Sequence, residues 1–531
     1  MNRFLFIVAL AILSAPVAGA GELYVAPQGD DTNDGSRAKP FRTISAAAAV
    51  AAPGDVVTVH QGVYRERVTP MRGGESADKR IVYQAAPGER VEIKGSEIVR
   101  GWKPIAPDAW QVVLPNSFFG KYNPYQDLIA GDWFNPLKRT HHTGEIYLNG
   151  KSLWEVSTPE EVLHPRPFPG ASDSEGSTYT WHCQSDAENT TLTANFHGHE
   201  PNAETVEINA RESCFYPGRT GCNYLTVRGF RMSQAATQWA APTAEQIGLI
   251  GTFWSKGWII ENNVVSDSKC SGITLGKDRL SGHNVWTAHR EKDGATHYNE
   301  VIVRALENGW SKEKIGSHVV RNNEISNCGQ TGICGSMGGA FSEISGNDIH
   351  DIYTKRTFTG AEMGGIKLHG AVDVLIKNNR LHNAYRGMWM DWMAQGTRIT
   401  GNLCDDNSAE DLYVEVDHGP FVVDNNLFLS RRSLWDMSEG GAYAHNLFAG
   451  IIAWRADKQR LTPYLQPHAT AIAGLRKITD TDNRFFNNVF IGAGSPTSSG
   501  GLDVYDKAEQ APQTGGNVYL HGARPSQSVY R

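Results

Sequence analysis

An asparagine returns about every 24 residues through the second half of this chain, each time after a short run of β-branched or apolar residues. Taking the last Asn of each run gives Asn263, Asn323, Asn347, Asn379, Asn402, Asn426, Asn446 and Asn488. From Asn379 the steps are 402 − 379 = 23, 426 − 402 = 24 and 446 − 426 = 20. Self-similarity at such a period marks a solenoid, whose units bury their apolar faces only by stacking. Asparagine suits the bend between two strands of a coil because it tolerates left-handed backbone angles. Its side-chain amide can also bond to the same amide one coil away. The expected fold class is all-β: a right-handed parallel β-helix.

Longer steps mark excursions from the coil. The 323 − 263 = 60 residues between Asn263 and Asn323 include Tyr298–Asn308, which has helical apolar spacing and is followed by Gly309, a C-cap. This helix is expected to decorate the solenoid. The 488 − 446 = 42 residues between Asn446 and Asn488 contain Pro463 and Pro467 and read as a loop between coils. At the front, Leu23–Val25 reads as a strand. An alanine-rich helix follows Thr43, and strands resume at Val56–Val59, the pattern of an entry cap over a first coil. Between Trp102 and Ala210 the Asn repeat disappears. Asn149-Gly150 is a hairpin signal there, and Thr178–His182 and Thr190–Ala194 alternate as antiparallel strands. The expected organisation is a leader at 1–20, cap and first coils at 21–101, an inserted β-sandwich at 102–210, and the main helix at 211–531.

The leader consists of Arg3, an apolar run from Phe4 to Leu13, and the small-residue site Ala18-Gly19-Ala20, which predicts export to a periplasm or beyond the cell. No later run has the length of a membrane span. A formal charge of −7 with 20% charged residues offers no footprint for nucleic acid or anionic membrane and suits a neutral substrate. Seven cysteines lack metal-like pairing. In an exported chain Cys214 and Cys222 could form a disulfide, while Cys270, Cys328, Cys334 and Cys404 read as buried small hydrophobes. The acidic cluster Asp30–Asp34 lacks the remaining ligands of a calcium loop and reads as an Asx turn. No cofactor and no metal are expected; oligomeric state is open.

Two segments carry the chemistry. Gly387-Met388-Trp389-Met390-Asp391 overlays Asp411-Leu412-Tyr413-Val414-Glu415, apolar on apolar, aromatic on aromatic and acid on acid. The offset is 415 − 391 = 24, one coil. Equivalent residues on adjacent coils lie about 4.8 Å apart. A retaining glycosidase needs its carboxyl pair about 5–5.5 Å apart. One coil back, Lys367 and His369 fall into line; one coil forward, Trp435 joins Trp389 and Tyr413. Stacked carboxylates repel unless one is protonated or a cation intervenes, and a ladder of outward aromatics is costly unless it binds something. Glu362, in the loop entering the preceding coil, is placed with Lys367 and His369 as a grip on sugar hydroxyls, or as an internal ion pair. Trp133 in the insert is either a sugar contact or sandwich core. Asp417 and Asp436 are the next candidates for an acid. The same coils leave two other readings open. One is a polysaccharide lyase using Lys367, His369 or Arg386; the other is a non-catalytic sugar-binding solenoid.

The run Trp389–Arg398, followed by Val414–Phe421, resembles glycoside hydrolase family 120, a family of β-xylosidases built as a β-helix with an inserted sandwich. The resemblance covers most of the chain after the leader. It implies Asp391 as nucleophile and Glu415 as acid/base in a retaining reaction on xylo-oligosaccharides, and its second motif adds His418 to the expected sugar contacts. Arabinosides, fucosides and galactosides are the alternative substrates on this fold.

Overall fold

The computed structural model describes residues 21–479, 482–492 and 499–528; the expected leader at 1–20 lies outside them. Three parallel sheets of 13, 12 and 8 strands run the length of a right-handed parallel β-helix, each strand pairing with its equivalent one coil away. The continuous core lies between them and is filled by one apolar side chain per strand position, such as Ile260, Val320, Ile344, Ile376, Ile399 and Val423 on one sheet. Burial on the inner face explains why β-branched residues recur there: they pack well on a pleated surface.

The Asn repeat divides its work between two positions. The last Asn of each run is buried, and its Oδ1 accepts from both the backbone N–H and the Nδ2 of the Asn one coil earlier. This continues from Asn263 through Asn323, Asn347, Asn379, Asn402, Asn426, Asn446 and Asn488. Asn517, which the repeat missed, extends the ladder by one more coil. The residue before it takes the left-handed backbone: Asn322, Asn378, Asn425 and Asn487 at φ of 54° to 58°, with Gly346, Gly401, Gly516 and His445 replacing Asn elsewhere. Removing Asn402 leaves the Asn379 N–H without its acceptor and the Ile376 carbonyl without that donor, while Asn379 Nδ2 keeps Ile344 O; each stranded group costs about 1–3 kcal/mol. Asn402→Ala is therefore expected to destabilise the fold by about 2–4 kcal/mol, measured by denaturant unfolding. Asn378→Gly, at the left-handed position, should be nearly neutral.

The N-terminal strand Glu22–Val25 pairs in parallel with Val56–Val59, and the capping helix Ile44–Val50 starts at Thr43, whose hydroxyl accepts from Ala46 N–H. Asp30 and Asp34 accept backbone N–H groups two residues on, and Asp31 accepts those of Arg42 and Thr43. The insert is a sandwich of a four-stranded and a five-stranded sheet around Trp102, Trp181, Phe196, Ile146 and Ile208. Its four-stranded sheet includes Ser96–Ile98, ahead of residue 102, and its hairpin turns at Asn149 and Gly150, both with positive φ. The paired disulfide is not formed. Cys214 and Cys222 are free and buried, their thiols directed at the carbonyls of Ser233 and Pro70.

Two excursions do more than decorate. The helix Gly294–Glu307, capped by Asp293 and ended at Gly309 (φ +88°), buries Tyr298, Val301 and Ile302 against Trp392, Met337 and Trp310. Within the stretch 446–488, the hairpin Thr462–Leu465 with Ile472–Arg476 docks on the coil below it, where Leu465 N–H donates to Gln395 at 2.6 Å. Both flank one edge of the eight-stranded sheet.

Candidate active site

Four strands of that sheet, β1 (Gly364–His369), β2 (Met388–Asp391), β3 (Glu410–Glu415) and β4 (Arg432–Met437), stack in order. The observed register pairs Lys367 with Trp389 and His369 with Asp391, then Trp389 with Tyr413 and Asp391 with Glu415. Tyr413 pairs with Trp435 on β4. The overlay made from sequence is thus the register of the sheet, and the two carboxylates belong to adjacent strands about 4.8 Å apart.

A cation attends each carboxylate. Lys367 Nζ, fully buried, lies 2.6 Å from Asp391 Oδ2 and 3.3 Å from Glu362 Oε1. His369 Nε2 is 3.0 Å from Glu362 Oε1 and 3.3 Å from Asp391 Oδ2. Glu415 meets a different partner: Arg460 Nη1 donates to its Oε1 at 2.7 Å, and Trp389 Nε1 to its Oε2 at 3.2 Å. Arg460 also pairs with Asp457. Arg460 went unnoticed in the sequence because it arrives from the excursion, 45 residues beyond Glu415.

Three buried polar atoms around β1 and β2 have no protein partner: Glu362 Oε2, His369 Nδ1 and Asp391 Oδ1. Buried polar groups are normally satisfied, so three unpartnered atoms on neighbouring residues set this cluster apart from the rest of the sheet. Glu362 itself holds a left-handed backbone at φ +64°, a strain typical of ligand-gripping positions. Burial raises its carboxyl, but Lys367 and His369 outweigh that and hold it below the ordinary glutamate range. Glu362, His369 and Asp391 also bring one ligand atom each within 4.8 Å of one another, a set able to hold a cation, and Lys367 Nζ already supplies positive charge among them. Tyr298, from the helical excursion, meets the His369 ring edge-on at 5.0 Å.

The aromatic ladder forms but is not an open platform. Trp389 has the tilted ring of Tyr413 at 5.0 Å and Lys367 Nζ at 3.2 Å from its ring centroid, and Tyr413 stacks on Trp435 at 4.6 Å. Arg386, bonded to Glu410 at 2.8 Å, places its guanidinium 4.4 Å from Trp389 and 5.1 Å from Tyr413. The ring faces of both are thus covered; Trp389 donates to Glu415, and the Tyr413 hydroxyl is bonded to Met437 Sδ at 3.1 Å. His418 departs from expectation too. Its Nδ1 meets Glu439 at 3.0 Å and its Nε2 meets Thr462 Oγ1 at 2.7 Å, which spends both nitrogens on anchoring the hairpin. Trp133 is not part of the sandwich core: it packs on the cluster of Tyr298 and Trp392, meets Trp286 in a tilted pair at 5.3 Å, and its carbonyl accepts from Ala361 N–H beside Glu362.

Asp417 and Asp436 are turned inward. Asp436 is bonded to Ser438, Asn483 and Tyr505, and burial pushes it up to about 6. Asp417 accepts from Ala394 N–H at 2.7 Å, and burial holds it well above the aspartate range.

Comparison with known proteins agrees with this architecture. Residues 99–208 match the glycoside hydrolase 120 insertion domain, 312–455 a right-handed β-helix region, and 27–70 a protein domain of unknown function. A solved structure described as the complex structure of XylC with xylose superposes with a TM-score of 0.93 at 44% identity, covering 95% of this chain and 84% of that one. Another, described only as a glycoside hydrolase, has a TM-score of 0.48 at 12% identity over 96% of this chain and 97% of that one. The uncharacterized protein YwoF of Bacillus subtilis (strain 168) is 31% identical over 144 residues, 27% of this chain and 24% of that protein, so the chain spans about a quarter of this curated relative. The coverage and identity of the XylC match, together with the insertion-domain match, establish that the chain belongs to glycoside hydrolase family 120.

Proposed function

We propose that this enzyme releases xylose from the non-reducing end of β-xylosides and xylo-oligosaccharides by double displacement, and that it is exported. The observation that carries the reaction is the in-register pair Asp391 and Glu415 on adjacent strands, each with its own cation. Spacing of one strand leaves no room for a water between sugar and carboxylate, which favours direct attack. Lys367 and His369 both engage Asp391 Oδ2, leaving Oδ1 as the atom aimed at the anomeric carbon. Glu415 then serves the departing oxygen and, afterwards, the incoming water. Lys367 and Arg386, the bases a lyase would use, are each tied to carboxylates. The XylC structure contains xylose, which supports a pentose here. The leader-like residues 1–20 support export.

A panel of nitrophenyl glycosides tests this reading. Hydrolysis of the β-xyloside should exceed that of the arabinoside, fucoside and galactoside by at least an order of magnitude. NMR should show β-xylose as the first product. α-Xylose appearing first would overturn double displacement, and unsaturated products from uronate polymers would overturn hydrolysis.

Glu362→Gln separates grip from structural ion pair. If Glu362 Oε2 holds the sugar, kcat/KM falls on the order of 10²-fold. The substitution also changes acid stability. A carboxyl held below its ordinary value contributes stability that is present above that value and lost as pH falls through the depressed one. The acid limb of the unfolding profile should therefore flatten in Glu362→Gln. Unchanged kinetics with a flattened acid limb would assign Glu362 a purely structural role.

A further inference from the structure

A cleft of about 740 Å³ opens along the seam between the inserted sandwich and the coils that precede the catalytic strands, at residues 267–269, 327–329 and 353–358. That volume lies within the range of about 300–1,000 Å³ for small-molecule sites. Its lining contains neither Asp391, Glu415, Glu362 nor Lys367. Phe358 closes one end and packs on Phe134 and Trp239, and Glu362 follows it by 362 − 358 = 4 residues.

The floor is preorganised. Glu145, buried, is held by Lys355 at 2.9 Å, by Lys269 at 3.4 Å and by Trp181 Nε1 at 2.8 Å. These pairs also fasten the sandwich to the helix, so the floor needs no rearrangement to receive a ligand. The walls carry unsatisfied donors. Trp154, only 9% exposed and with Lys355 Nζ 4.9 Å from its ring, has a buried indole N–H without a partner. Arg356 Nε on the opposing loop is likewise unpartnered, and both Tyr353 and Arg356 hold left-handed backbone, at φ +66° and +54°. Trp154 belongs to the insert and Arg356 to the coils, so both parts of the chain line the cleft.

The lining charges balance: Lys151, Lys269, Lys355 and Arg356 against Glu145, Asp173, Glu175 and Asp267. A balanced lining with the aromatic rings of Trp154, Tyr179 and Tyr353 fits a neutral ligand rich in hydroxyl and ether oxygens. An anion or a cation would meet repulsion from half of it. We infer that the seam is a second carbohydrate-binding site, taking a neutral oligosaccharide of two or more sugar units apart from the hydrolytic centre. The choice of sugar rests on the proposed xylosidase reading; the existence of the site does not.

Calorimetry of the full chain carrying Asp391→Asn, titrated with xylotriose, tests it. Two sites per chain are expected. Adding Trp154→Ala should abolish one of them and leave the other's affinity within about twofold. Because Trp154 is buried, Arg356→Met serves as a milder second variant, expected to weaken the same site at least fivefold with an unchanged melting temperature. A single site in Asp391→Asn, or two sites indifferent to both changes, overturns the inference. No heat at all overturns it as well, and hydrolysis of nitrophenyl β-xyloside by the parent then tells whether the xylosidase reading falls with it.

Discussion

Asp391→Ala is expected to lose on the order of 10⁴-fold or more in kcat on every glycoside while keeping its fold. The reasoning begins with charge. Removing a buried carboxylate is dangerous when it strands a buried cation, but Lys367 retains Glu362 at 3.3 Å, and His369 retains the same oxygen at 3.0 Å. The site therefore stays paired, and the thermal transition should move by only a few degrees. Without the carboxylate, no covalent glycosyl-enzyme can form on the face opposite the leaving group. Azide can occupy the vacated space and attack the anomeric carbon itself, so added azide should restore turnover of nitrophenyl xyloside and yield the azide of inverted configuration. Mass spectrometry with a slow 2-fluoro substrate should label the parent enzyme at Asp391 and leave the variant unlabelled. Asp391→Ala with most of its parent's turnover would sink the assignment.

What the sequence made legible depended on where the coil is uninterrupted. Between Asp391 and Glu415 there is one plain coil, so counting 24 residues was enough to align Trp389 with Tyr413 and acid with acid. The Asn ladder was readable for the same reason, although Asn517 escaped because it follows two glycines and no Asn pair. The failures lie where the chain leaves the coil. Arg460, just ahead of the hairpin that His418 and Gln395 fasten, reaches Glu415 from outside the coil, and no local period encodes that docking. The resemblance marks His418 as a sugar contact, whereas its two nitrogens are bonded to Glu439 and Thr462. The aromatic ladder shows a second limit. Alternation tells which side of a strand a ring takes. It does not tell that Lys367 and Arg386 occupy the ring surfaces of Trp389, since that depends on long side chains folding back over the sheet. A Cys pair eight residues apart is likewise not a disulfide when each thiol points to a different carbonyl.

Glu415→Ala is expected to divide substrates by their leaving groups. The departing oxygen of a natural xylobiose needs a proton, whereas nitrophenolate leaves without one. Losing the general acid should cost on the order of 10²–10⁴-fold on the disaccharide in the first step, and far less on the nitrophenyl glycoside. The neighbours of Glu415 suit both halves of the cycle. Before attack it lies one strand from the Asp391 carboxylate and 2.7 Å from Arg460, and glycosylation of Asp391 removes the anionic neighbour while Arg460 stays. Two further outcomes follow. In Glu415→Ala the basic limb of kcat/KM should flatten, and azide should now give the product of retained configuration by replacing water in the second step. Equal loss on both substrate types with the basic limb unmoved would assign the proton to another group, and Asp417 and Asp436, buried and bonded to their own partners, would have to open to reach it.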